Sequence, residues 1–334
     1  MILKFYIGFT FVLLLCILPT TVNAQKTTGS NQIESKQWDL KTKIQFASIE
    51  KAKKLLTTED QFTESWSQFD IDSRLHKTNS RKEDLLKFIS DQPLEWTIEE
   101  KTKINSVLEA IDKNIIKYGF RINFPDEVFF VKTTGQEEGG ADGYTRANYV
   151  VLKEKMISRP ESELQQVIVH ELFHILTRSD NNFRKDMYKI IGFEITNEIV
   201  YPLNIQDFRI TNPDAPQTDS YIVLRKDGKQ VDCMMILYSK NKYDGGNFFK
   251  YLNVGFLKLK GPDRKEIDLI EGQPIIYGIK EVSNFFEQVG KNTQYIIHPE
   301  EILADNFAFA IDNRKGLPSQ WIIESIQNTL RSKN

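Results

Sequence analysis

Residues 167–178 read VIVHELFHILTR, which sets two of the chain's four histidines a single helical turn apart, with a glutamate directly after the first. The stretch ends a longer one, RPESELQQVIVHELFHILTR (159–178), whose Pro160 and acidic first turn start a helix and whose Arg178 suits its last turn. In a helix, residues i and i+4 differ by about 40° in direction, so His170 and His174 project from one face. Two imidazoles so placed suit one metal ion. Glu171 points roughly 100° away from His170, better placed to reach a water beside the metal than to become a ligand. The helix is otherwise apolar nearly all round, at Val167, Ile168, Val169, Leu172, Phe173, Ile175 and Leu176, and so is expected to be buried. The competing reading is two core or capping histidines satisfied by hydrogen bonds. Composition weighs against it, because with 4 histidines in 334 residues a chance H-E-x-x-H match is rare.

The pattern points to Zn²⁺, one per chain, which binds imidazole nitrogen at about 2.0–2.1 Å and in catalytic sites takes three protein ligands plus water. A metal acidifies the water it holds, and Glu171 is the general base expected to take the proton as that water attacks a carbonyl carbon. The third ligand is not a nearby histidine, since the residue six after His174 is Asp180. The favoured candidate lies in YIIHPEEILADNFAF (295–309), where Pro299 suits the first position of a helix and Glu301 and Asp305 share a face. Glu301 is read as the ligand and Asp305 as the acceptor for the free N–H of a histidine ligand. Glu300, four residues before Ala304, is the runner-up, and Glu194 and Glu198 stay open. An oxyanion donor is also required. His298 is the candidate, with a helix cap as its alternative role, and Tyr144, Tyr201, Tyr277 and Tyr295 are others. RITNPDAPQTD (209–219) is rich in turn formers and is a candidate to line a cleft.

With His170, Glu171, His174 and EILAD (301–305), the sequence resembles the gluzincin group of zinc metallopeptidases, thermolysin-like in the broad sense. The resemblance rests on few residues and implies a zincin-like domain that hydrolyses peptide bonds in peptide or protein substrates. It also likens RANYVVL (146–152) to the edge strand that pairs with the substrate backbone. The separation of His174 from Glu301 is much longer than the thermolysin-like interval, so a strand-rich insertion is expected between the two metal-ligand helices.

The remaining sequence frames this site. The first residues, MILKFYIGFTFVLLLCILPTTVNAQK, read as a signal peptide, 1–24, cut after Ala24, which implies a secreted or periplasmic protein without stable membrane insertion after cleavage. Loss of Cys16 would leave Cys233 as the one cysteine, so no internal disulfide is expected. The 44 basic and 46 acidic residues give −2 and no footprint for nucleic acid. Residues 25–36 read as a flexible leader and 37–119 as a helical N-terminal lobe, with IQFASIEKAKKLL placing Ile44, Ala47, Ala52, Leu55 and Leu56 near one face. The lobe's longest helix opens with Thr97 and Glu100 at capping-box spacing. Residues 120–334 form the expected metallopeptidase domain. In it DEVFFVKTTG and ANYVVLKEK read as strands, DSYIVLRKDGKQVDCMMILYSK as a hairpin about Asp227 and Gly228, and GIKEVSNFFEQVG as a helix. The expected fold class is therefore α+β. A different class of function is an exported, non-catalytic binding or assembly protein with a structural zinc, for which Cys233 is the one spare thiol ligand.

Overall fold

The computed structural model describes residues 42–332. The expected signal peptide, leader and cleavage site lie outside the described residues. The described residues open with strand β1 (Lys43–Phe46), then helices α1 (Ile49–Thr57), α2 (Gln61–Glu64), α3 (Gln68–Leu75), α4 (Lys82–Ser90) and α5 (Ile98–Lys117). Next come β2 (Glu127–Thr133), β3 (Gly143–Arg146), β4 (Tyr149–Lys153), α6 (Glu154–Ile157), α7 (Glu161–Ser179) and α8 (Asn181–Ile190). The middle of the chain holds β5 (Phe193–Ile195), α9 (Leu203–Gln206), β6 (Ser220–Lys226), β7 (Lys229–Tyr238), β8 (Asn253–Lys260), β9 (Glu266–Ile267), β10 (Leu269–Ile270), β11 (Gln273–Pro274) and β12 (Ile276–Gly278). Helices α10 (Phe285–Val289), α11 (Pro299–Ile311) and α12 (Gln320–Ser332) close it. The fold class is α+β, as expected.

The first sheet runs β1-β2-β4-β3. Strands β1, β2 and β4 are parallel, and β3 is antiparallel to β4 at the edge. This corrects two readings. Residues 44–46, the start of a stretch read as helix, belong to a strand, because Ile44 pairs beside Val128 and Phe46 beside Phe130, and pairing of that kind leaves no trace in the local pattern. The strand in RANYVVL is not an edge, since β4 is bonded to β2 on one side and β3 on the other. The edge on this side of the sheet belongs to β3, which ends the glycine-rich loop before it.

The strand-rich stretch between α7 and α11 forms a second sheet, ordered β12-β8-β7-β6-β5, with β9 added on β8. Its hairpin turns at Asp227 and Gly228, whose φ values of 51° and 77° are the left-handed pair that a two-residue type I′ turn needs. The helix expected over 278–290 is broken instead. A 3₁₀ turn at Ile279–Glu281 and a left-handed Asn284, φ 62°, precede the short α10.

Helix α7 packs against α11, α5, β3 and β4. One apolar cluster joins Ile44, Ile104, Val128, Leu152, Ile168, Phe173, Phe256, Leu303 and Ile322. The expected N-terminal helical lobe and the helix carrying His170 thus share a core. The Thr97–Glu100 capping box opens α5 as read from the sequence. Among the described residues no helix is long and apolar enough to cross a membrane.

Candidate metal centre

Two helices bring the expected ligands together. On α7, His170 and His174 stand with ring centroids 4.9 Å apart. On α11, Glu301 faces them, its Oε2 3.0 Å from His170 Nε2 and 3.7 Å from His174 Nε2. Pro299 opens α11 and sets the turn from which Glu300 and Glu301 project inward, both nearly fully buried.

Each imidazole is fixed from behind. His170 Nδ1 lies 2.9 Å from Asp305 Oδ1, the pairing read from the sequence, and the Thr293 hydroxyl donates to the other Asp305 oxygen. His174 Nδ1 lies 3.2 Å from Glu300 Oε1. Glu300 also accepts from the Thr177 hydroxyl and, at 2.7 Å, from Tyr188 Oη. The sequence ranks Glu300 second as a metal ligand because Ala304 follows it by a turn; the structure makes it the partner that orients His174. A carboxylate at each Nδ1 holds a proton there, which leaves each Nε2 turned toward Glu301 as the nitrogen available to a metal.

The test of whether a metal fits is the state of those Nε2 atoms. His174 Nε2 is buried and has no hydrogen-bond partner, in a side chain 0% exposed. An orphaned buried nitrogen costs about 1–3 kcal/mol unless something outside the chain satisfies it. Tetrahedral ligands at about 2.0–2.1 Å from a zinc ion stand about 3.3 Å from one another, and the 3.0 and 3.7 Å separations bracket that value. His170, His174 and Glu301 fit a metal ion of this kind.

Electrostatics agree with the assignment. Burial raises the Glu301 carboxyl, but His174, His170 and the Asn212 amide outweigh it and pull the group to about 2, so it is ionised. Burial alone would lower His170, yet Asp305 and Glu301 hold it well above the usual imidazole range without a metal. Glu171 behaves oppositely: burial first, then the Asp214 carboxylate, push it to about 8. Its Oε2 accepts from Thr145 Oγ1 at 2.8 Å, and a Cβ added at Gly143 would stand 3.0 Å from its Oε1. Both neighbours come from β3, whose alternate side chains point the other way. Tyr144 bonds to the buried Glu137, and Arg146 reaches Asp60.

No family model, no curated protein and no solved structure matches this chain. The geometry of the site therefore carries the functional reading alone.

The other sequence candidates fall into place. Glu194 bonds to Tyr221 and Glu198 to Thr218 and Gln61, all at the surface and apart from the histidines. Cys233 is a buried core residue on β7 and belongs to neither group of side chains that could hold a metal among the described residues. His298 is the cap of α11, its Nδ1 accepting from the Glu300 N–H at 3.2 Å. Its ring lines small cavities with Gln217 and Pro216, and His170, His174 and Glu171 line neither. Of the four tyrosines, Tyr201 packs in a separate cluster and Tyr277 sits on β12. Tyr295 stands 6.2 Å from His170, ring to ring; the residue is 38% exposed overall, but desolvation of its hydroxyl end, followed by the charges of Glu301, Asp214, Glu171 and Asp305, raises that hydroxyl above the phenol range.

Sequence reasoning missed Asn212 and Asp214, although it singled out their segment. Asn212 Nδ2 donates to Glu301 Oε1 at 2.6 Å. Asp214 Oδ1 accepts from the Thr145 backbone N–H at 2.6 Å, and Asp214 joins Glu171 and His174 in a second group able to hold a metal.

Proposed function

We propose that the chain is an exported, single-zinc metallopeptidase of gluzincin type with a zincin-like catalytic domain. One observation carries this reading: the unpartnered, buried Nε2 of His174 faces Glu301 Oε2 beside His170 Nε2, with a carboxylate behind each ring. His170, His174 and Glu301 would hold the zinc, which when bound supplies Lewis acidity toward water and a substrate carbonyl.

The chain's own groups do the rest. Glu171 takes a proton from the attacking water at its carboxylate, which Thr145 holds in one orientation. Its site is dry, since Glu171 is 3% exposed, and that keeps the carboxylate basic enough to accept. Glu171 can then release the proton to the leaving amine. Tyr295, whose ring lies 6.2 Å from that of His170, is our candidate to donate a hydrogen bond to the developing oxyanion. The free edge of β3 offers backbone groups for an extended peptide to pair with, which selects peptide over other amides.

A second reading, a structural zinc in a binding protein, draws on Asp214, which gives the site a further protein group beside His174. One experiment separates the two. Purified protein lacking residues 1–24 should hold one zinc per chain and cleave members of a peptide library. Glu301→Ala should lose zinc, while Glu171→Gln should keep zinc and lose cleavage by 10²-fold or more, on the order expected for a general base. Retained turnover in Glu171→Gln would sink the mechanism, and stoichiometric zinc with no cleavage by wild type would favour the structural role.

A further inference from the structure

The segment 209–219 crosses the metal centre and is tied down at several points. Ser67 Oγ donates to Arg209 O at 2.8 Å, the Thr211 N–H donates to Asp70 Oδ1 at 3.1 Å, and Arg178 donates to Pro213 O at 2.6 Å. Between these anchors Asn212 covers Glu301 Oε1, and the Asp214 carboxylate takes the Thr145 N–H from the edge strand. That N–H is one of the few backbone donors β3 can offer a peptide laid along its free edge. The same carboxylate lies with Glu171 and His174 in a group whose ligand atoms are all within 4.8 Å of one another, a group that shares His174 with the expected ligands but includes neither His170 nor Glu301. The His174 Nε2 beside it is buried and without a partner.

We propose that residues 212–214 are an internal occupant of the peptide cleft, with the Asp214 carboxylate standing beside His174 and Glu171, on the side from which a substrate carbonyl approaches the metal, and blocking the Thr145 amide. The inference rests on the zinc reading above. A peptide's carbonyl oxygen and the N–H acceptor of its backbone would need the two places that Asp214 takes, so the segment and the substrate compete. The site is closed at rest and opens when the anchors at Asp70, Ser67 and Arg178 let the segment withdraw.

The test uses the full mature chain loaded with cobalt(II) in place of zinc, and acetohydroxamate as a small metal-binding probe. Visible absorption reports the cobalt coordination, and titration gives the probe's affinity. Asp214→Ala and Asp214→Asn should each bind acetohydroxamate at least about tenfold more tightly than wild type, with an altered cobalt spectrum before the probe is added. Asp214→Asn keeps an oxygen for the Thr145 N–H, so it isolates the carboxylate's charge beside the metal from packing. In wild type, saturating probe should speed hydrogen exchange at the Thr145 amide, a readout that needs no variant. One cobalt per chain with equal probe affinity in wild type and Asp214→Asn, or an unchanged Thr145 amide under saturating probe, overturns the occupant alone. Failure of wild type to hold cobalt at all overturns it together with the metallopeptidase reading.

Discussion

At the scale of single residues, the centre depends on which nitrogen of each histidine is free. Asp305 and Glu300 settle that for His170 and His174 by taking Nδ1, and the two carboxylates reach their rings from one helix. His298 follows a different logic. Burial lowers its imidazole to about 4, and its Nδ1 is already spent as the α11 cap. The folded protein therefore holds this group neutral, with a pKa depressed from about 6.5 in the unfolded chain. Its contribution to stability is fully present above pH 6.5 and is lost as pH falls through 4, amounting to about 3 kcal/mol at most. His298→Asn keeps a capping oxygen without the titration. Thermal melts of metal-free wild type and His298→Asn should show wild type losing more stability between pH 7 and pH 4. A gap between them that stays constant with pH would refute the assignment.

At the scale of elements, the surroundings of Glu171 are made where the edge strand β3 packs against helix α7. Gly143 and Thr145 lie on the face toward Glu171 because side chains alternate along a strand, and only a residue without a Cβ leaves the Glu171 carboxylate its room. Gly143→Ala would set a methyl 3.0 Å from Glu171 Oε1 and 3.2 Å from Val151 O. The backbone oxygen cannot yield, so the carboxylate moves. Zinc content should stay at one per chain, while kcat/KM for peptide cleavage falls about 10- to 100-fold, the scale of loss seen when a catalytic group is misplaced by up to an ångström. Full activity in this variant would mean that Glu171 works from another rotamer. Helix α11, which packs against α7, is less tolerant, because its Ala304 and Ala308 are fully buried.

For the whole molecule, the question is whether residues 37–119 are a removable appendage. Strand β1 pairs with β2 over four residues, and Ile44, Trp96, Ile104, Leu108 and Ile111 lie in the same apolar cluster as Ile168 and Phe173 of the histidine helix. Lys132 adds a buried ion pair to Glu100 at 2.7 Å, and Arg74 of α3 bonds to Glu138 in the loop before β3. Cutting the chain at residue 120 would expose all of that surface and leave β2 with a bare edge. A fragment of residues 120–334 should therefore be insoluble or bind a hydrophobic dye without a cooperative melt. A fragment that melts cooperatively and holds zinc would show the lobe to be separable.

The helix of His170 and His174, the capping box at Thr97, the hairpin at Asp227–Gly228 and the pairing of Glu301 with Asp305 were all legible along the chain. Each depends on residues within a turn or two of one another, where backbone geometry alone fixes which side chains share a face. Strand β1, the free edge at β3, the place of Glu300 behind His174 and the reach of Asn212 and Asp214 into the centre were not. In each of these, partners far apart in the chain meet only because the core brings their elements together. The local pattern around Ile44 suits a helix as well as a strand, and nothing near Asp214 in sequence marks a neighbour of His174. Local periodicity thus determined which chemistry the chain carries, and tertiary packing decided how that chemistry is oriented and covered, because contact between distant segments is set by the burial of whole faces and not by the residues beside them.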